Sequence, residues 1–234
     1  MRFAIIRFPG TWSDRDCQHV LRDVLEQQAD ILWHRDTDLA GYDAVVLPGG
    51  FSYGDYLRTG AIARFSPVMD AVMKFADAGR PVIGICNGFQ ILCESGLLPG
   101  LLIRNQSLQF RCEWVHLRRE ASANSPWLSS IPGGAVLQIP ISHGEGNYYA
   151  DAETLDALEQ SGQVAFRYCD AAGLVTPAAN PNGSARNIAG IVNARGNVLG
   201  MMPHPERAGE QLVGGTDGNQ IWESLLASAV ATVA

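Results

Sequence analysis

Apolar and polar positions along the first half of the chain alternate between two periods. Arg2 to Phe8 is an apolar run closed by Pro9-Gly10 and reads as a first strand. Cys17, Val20, Leu21, Val24 and Leu25 then fall at helical spacing on one face, with Ser13 as the N-cap and Asp16 three residues on. Ile31-Leu32-Trp33 predicts a short strand, and Ala44-Val45-Val46-Leu47 another that ends at Pro48-Gly49-Gly50. Arg64 to Ala78 carries a helical pattern through Val68, Val72 and Phe75. Pro81 to Ile85 is the next strand, and Asn87 to Glu94 a helix stopped by Gly96.

Strands that alternate with helices imply βαβ units and a parallel sheet, whose sites lie at the carboxyl ends of strands. Gly49-Gly50 and Cys86 sit at such ends. The second half is richer in strands: Val136 to Ile141, Ile188 to Val192 and Val198 to Met202, the last two joined by a hairpin turn over Asn193 to Asn197. A closing helix spans Gly218 to Val230, with Ile221, Leu225, Leu226, Ala229 and Val230 on its apolar face. No repeat or linker interrupts the chain. The expectation is an α/β fold in a single domain over 1–234, with a mostly parallel central sheet flanked by helices and an antiparallel, strand-rich second half.

Composition narrows the function. The chain has 234 residues, 47% of them hydrophobic, and a formal net charge of -7. An acidic chain argues against nucleic acid or an anionic membrane as partner, since both need a basic face. No apolar stretch approaches the roughly 20 residues that span a bilayer, and the apolar start is too short for a signal peptide. The five cysteines are odd in number and contain no Cys-x-x-Cys pair, which argues against a disulfide framework and a structural zinc site. A reducing, cytoplasmic setting fits. Asn182-Gly183-Ser184 then reads as a turn rather than a glycosylation site.

Gly84-Ile85-Cys86-Asn87-Gly88, directly after an apolar strand, has the form of a nucleophile elbow with Cys in the Ser position. The turn leads into a helix N-terminus, which favours a thiolate. Cys17, Cys93, Cys112 and Cys169 lack this context and read as structural. His204-Pro205-Glu206 offers a general base and its orienting carboxylate. In extended chain, residues two apart point to the same side, so Glu206 is expected to hold the imidazole. The oxyanion donors expected of acyl transfer are the Asn87 N–H and a backbone N–H at Gly50 in the Gly49-Gly50-Phe51 turn. Pro48-Gly49-Gly50 is not a phosphate-binding Walker loop, because no Gly-Lys-Ser/Thr follows. His143 to Tyr148 is too sparse in ligand spacing for a metal site. It reads either as a mobile lid or as a polar hairpin.

These residues in this order resemble the class I (triad) glutamine amidotransferases, whose core is flavodoxin-like, and among them the glutaminase subunits of purine biosynthesis. The resemblance is carried by Pro48 to Arg58, Gly60 to Arg64, Gly84 to Leu92, Gly96 to Gly100, His143 to Gly146 and Gly196 to Arg207, and so runs across almost the whole chain. It implies that Cys86, His204 and Glu206 hydrolyse glutamine to glutamate and ammonia, with Gly50 and Asn87 holding the oxyanion. It also implies that Phe51, Gln90, Gln109 and Phe110 bind glutamine. The subunit itself would hold no metal or cofactor. A separate synthetase subunit would use ATP and magnesium to combine the ammonia with formylglycinamide ribonucleotide, and a third, small subunit would join the complex. The Phe51 to Tyr56 run is either part of that interface or a loop packed on its own domain. In place of the Ser-Asn-Cys-Asp of many relatives, Thr11-Trp12-Ser13-Asp14 follows Gly10, in a turn expected to lie away from the triad. Three other readings are another amidotransferase with a different ammonia acceptor, a non-catalytic regulatory subunit and a free-standing cysteine hydrolase.

Overall fold

A computed structural model describes residues 1–233; Ala234 lies outside the described residues. The first half follows the predicted alternation: β1 (Arg2–Arg7), α1 (Asp14–His19), β2 (Gln28–Trp33), β3 (Ala44–Leu47), α2 (Pro67–Asp77), β4 (Val82–Ile85) and α3 (Asn87–Glu94). The second half holds β5 (Leu101–Ile103), β6 (Arg111–Arg119), β7 (Val136–His143), β8 (Asn147–Tyr149), α4 (Ala152–Gln160), β9 (Val164–Cys169), β10 (Ile188–Val192), β11 (Val198–Met201) and α5 (Asn219–Val233).

One nine-stranded sheet runs in the order β2-β1-β3-β4-β11-β10-β9-β6-β7, and β5 pairs separately with β8. From β2 to β11 every pairing is parallel; from β11 to β7 every pairing is antiparallel. β3, β4 and β11 are buried along their whole length, as strands covered on both faces must be. Two glycines let α3 lie close on this sheet. A Cβ at Gly200 would stand 2.2 Å from the Phe89 ring, and one at Gly84 2.5 Å from Leu92. Tyr148 stacks on Phe89 at 6.0 Å between ring centres.

The structure departs from the sequence expectations at several points. The helical pattern from Arg64 breaks at Ser66, which is extended (φ -64°, ψ 141°), and α2 starts at Pro67 after a short 3-10 turn over Ala63–Phe65. Proline excludes the helical conformation from its predecessor and is well suited to a first helical turn. Ser13 precedes α1 but does not cap it; its hydroxyl accepts a hydrogen bond from Arg207 instead. On α5, Val230 is exposed, while Trp222 and Ser224 face inward and Trp222 meets Trp127 edge to face. Asn182-Gly183-Ser184 does form a turn, but Asn182 and Ser184 are buried in it.

Candidate active site

β4 delivers Cys86 to the carboxyl edge of the sheet, where it takes φ 51° and ψ -105° before α3 begins at Asn87. Positive φ is uncommon outside glycine and is retained where surrounding structure enforces it. Here the enforcement comes from close packing: a Cβ at Gly88 would stand 1.9 Å from the Leu47 carbonyl oxygen. The Cys86 backbone N–H donates to the Met201 carbonyl at 2.8 Å, and the Cys86 Sγ points to the Ser142 carbonyl at 3.7 Å.

β11 brings His204 to the same edge. His204 and Glu206 are buried, and His204 Nδ1 meets Glu206 Oε1 at 2.6 Å. They come together through a 3-10 turn over Pro205–Arg207, not through extended chain as the spacing suggested; Pro205 fits the first position of such a turn. With Glu206 accepting at Nδ1, the other ring nitrogen, Nε2, is left buried and without a hydrogen-bond partner. Burial disfavours the imidazolium most strongly. The charges of Glu206 and Cys86 outweigh it and raise the His204 pKa to about 9. Burial likewise opposes charge on Glu206, but His204 and Arg207 keep its pKa below the ordinary carboxylate value.

The turn after β3 completes the edge. Gly49 has no room for a side chain, since a Cβ there would stand 2.7 Å from the His204 ring. Gly50 forms an antiparallel bridge with Thr11. The flanking bonds are Phe51 N–H to Gly10 O at 2.9 Å and Trp12 N–H to Gly49 O at 3.0 Å. In such a pair the Gly50 N–H faces away from its partner strand, free for a ligand, and the Asn87 N–H is free as the first of a helix. The Thr11 to Asp14 turn therefore does not lie away from the triad. β1 and β3 are neighbours in the sheet, so the loops that follow them must meet. Ser13 is buried, donates its N–H to Gly49 O at 3.0 Å and accepts from Arg207 Nη2 at 2.8 Å.

A cavity of about 160 Å³ opens beside Cys86, and Gly50, Phe51, Gln90 and Phe110 line it. Gln109 does not: its residue is exposed and its carbonyl accepts from Asn105 Nδ2 at 2.9 Å. The Gln90 amide is engaged at both ends, accepting from Asn87 Nδ2 at 2.9 Å and donating to the Glu145 carbonyl at 2.6 Å. The Asn87 side chain also accepts from Ser52 N–H at 3.0 Å and approaches Asp55 at 3.3 Å, which ties the glycine turn to the elbow.

Asp55, Thr59, Ser142, His143 and Glu145 line the cavity as well, and sequence reasoning gave none of them a role there. The segment from His143 is not a simple hairpin, since β7 and β8 belong to different sheets; side-chain amides hold it as a turn. Asn105 Nδ2 donates to His143 O at 2.9 Å and Asn105 Oδ1 accepts from Gly146 N–H at 3.0 Å. Asn182 Nδ2 donates to Gly146 O at 2.8 Å and to His143 Nε2 at 3.0 Å. His204 N–H donates to Pro140 O at 2.8 Å, so β7, the outermost strand, curls back to the site.

The chain belongs to the CobB/CobQ-like glutamine amidotransferase family, whose domain it matches over residues 1–226. Within that class several similar proteins share one name. A phosphoribosylformylglycinamidine synthase subunit PurQ of Moorella thermoacetica is 58% identical over 97% of this chain and 95% of its own. One of Gloeobacter violaceus is 57% identical over the full length of both. Among solved structures, a chain of PurLQS from Thermotoga maritima superposes with a TM-score of 0.85 at 39% identity, covering 97% of this chain and 98% of that one. A glutamine amidotransferase of the same organism, at 16% identity and a TM-score of 0.58 over 99% of this chain and 84% of its own, shares the fold. No helix among the described residues is long and apolar enough to cross a membrane.

Proposed function

We propose that this chain is the glutaminase subunit of phosphoribosylformylglycinamidine synthase. The observation that carries the reading is the end-to-end identity of 57% with a PurQ subunit in a chain that keeps Cys86, His204 and Glu206 together. In this reading the Cys86 thiolate attacks the side-chain amide carbon of glutamine. The tetrahedral oxyanion is held by the N–H groups of Gly50 and Asn87. His204, charged at neutral pH with Glu206 behind it, gives its Nε2 proton to the leaving nitrogen, and ammonia departs. The same nitrogen then takes a proton from water as the γ-glutamyl thioester is hydrolysed, which releases glutamate and restores the thiolate.

The subunit needs no metal or cofactor of its own for these steps. ATP and magnesium belong to a PurL-type synthetase partner, which uses the ammonia to make formylglycinamidine ribonucleotide; a small PurS-type subunit completes the assembly, in the cytoplasm. The test is glutamate release from glutamine by the purified chain alone and with its synthetase subunits, ATP and formylglycinamide ribonucleotide. Low release alone that rises sharply with the partners supports the reading. Full release alone, unaffected by partners, marks a free-standing hydrolase or another acceptor and contradicts it.

A further inference from the structure

Glu206 has few partners for a buried carboxylate. Its side chain is fully enclosed. Oε1 meets His204 Nδ1 at 2.6 Å, and no side-chain donor reaches Oε2 among the described residues. A carboxylate in such a place stays ionised only while a positive charge faces it. His204 supplies that charge only while it is protonated. In the glutaminase reading the ring gives its Nε2 proton to the leaving nitrogen, and it is neutral until water returns one. During that interval Glu206 must find its counter-charge elsewhere.

Among the described residues, one other cation makes an ion pair with Glu206. It is Arg207, whose Nε stands 3.8 Å from Oε1. The remaining surroundings do not compensate Glu206. α1 contributes Asp16 and Cys17, and burial, followed by the charge of Glu206, raises the pKa of each. It also contributes Asp14, which is met by Arg7. β7 brings His143, which burial keeps neutral, and α5 brings only the exposed Glu223. The Arg207 guanidinium is itself fixed. Its Nη2 donates to Ser13 Oγ at 2.8 Å, and its Nε lies 3.7 Å from Asp16 Oδ2. Ser13 is buried and donates its N–H to Gly49 O at 3.0 Å, so the turn that shapes the glycine loop also holds the guanidinium.

We propose that Arg207, held by Ser13, is a positioning residue of the catalytic pair: it keeps Glu206 ionised through the steps in which His204 is neutral. Glu206 then goes on accepting from Nδ1–H, and Nε2 stays aimed at the reacting atoms throughout the cycle. Without that cation, the carboxylate is free to take up a proton and release the ring. The inference rests on the glutaminase reading and adds to its machinery a side chain that does not line the cavity.

The test is the pH dependence of glutaminase kcat in the complex assembled with the synthetase subunits, for wild type, Arg207→Gln and Arg207→Lys. Loss of a neighbouring cation raises a carboxylate pKa, so the acid limb of the kcat profile moves to higher pH in Arg207→Gln. The expected shift is about one pH unit, the low end for an opposite charge at this range, because Arg207 is partly exposed. KM for glutamine is expected to stay at the wild-type value. Arg207→Lys keeps the charge and is expected to hold the limb near its wild-type position. If Arg207→Gln does not assemble, Ser13→Ala decides the matter, since it frees the guanidinium without removing it and moves the limb the same way by less. An unmoved limb in the assembled variant, or an equal shift in Arg207→Lys, overturns the inference while leaving the glutaminase reading intact. A wild-type complex that does not consume glutamine overturns both.

Discussion

At His204, burial and charge pull the imidazole in opposite directions. Burial favours the neutral ring, and Glu206 at 2.6 Å together with Cys86 restores the proton. The sign of the effect on stability follows from the raised pKa. A group whose folded pKa lies above its unfolded value, here about 9 against 6.5, contributes stability that is fully present below pH 6.5 and is lost as pH rises through 9. Glu206→Gln removes the charge that opposes burial. The His204 pKa in this variant is expected to fall, and the alkaline loss of stability that belongs to His204 to shrink with it. Glutaminase kcat is expected to drop by about 10²–10⁴-fold, the range for a disabled acid–base group. NMR titration of His204 and denaturant melts across this window check the prediction; an unmoved pKa would contradict it. Cys86, His204 and Glu206, which the structure brings together at one edge, were legible in the sequence because each sits in a local motif. Asp55, His143 and Glu145 were not, because their convergence on one cavity depends on contacts between segments far apart in the chain.

At the scale of elements, the elbow depends on how closely α3 approaches β3. Gly88 is the point of contact, 1.9 Å from the Leu47 carbonyl for any added Cβ. Gly88→Ala is expected to destabilise the chain by about 1–3 kcal/mol, the usual cost of overpacking, and to lower glutaminase activity further than the stability loss accounts for, since the shift is delivered to Cys86. Thermal melts and steady-state kinetics on the variant measure the two effects separately; a melt and a rate both like wild type would contradict it. The same closeness explains why this part of the fold could be read directly. β3, β4 and β11 are continuous apolar runs bounded by glycine and proline, as strands buried on both faces are. β6 was missed for the opposite reason. Of its residues only Val115 and Leu117 are buried among charged and polar neighbours, and its pairing partners β7 and β9 lie far along the chain. α4 was missed despite a good N-cap, with Asp151 accepting from Thr154 N–H at 2.7 Å, because it buries only Leu155 and Leu158.

For the whole molecule, the sheet changes character midway and the site sits at the change. The parallel half supplies Cys86, the glycine turn and His204 at the carboxyl ends of β4, β3 and β11. The antiparallel half curls so that β7 returns over the same edge, where its Ser142 carbonyl faces Cys86 and His143 walls the cavity. Loops that follow neighbouring strands lock the arrangement, as the Thr11 to Asp14 turn does against Gly49. Of the residues that line the cavity, Phe51 and Phe110 are about half exposed, and Tyr56 and Leu57, in the segment after Phe51, are more so. The Phe51 to Tyr56 run thus divides: Ser52 is buried and Tyr53 packs against the core, while Phe51 and Tyr56 stand outward. In the proposed function, ammonia is made at this edge and used by a partner.

The division of labour is tested most directly by Cys86→Ala in the complex assembled with the synthetase subunits, measuring formylglycinamidine ribonucleotide made from glutamine and, separately, from added ammonia. No synthesis from glutamine and undiminished synthesis from ammonia are expected. Synthesis from glutamine at the wild-type rate, or loss of both in a fully assembled complex, would contradict it.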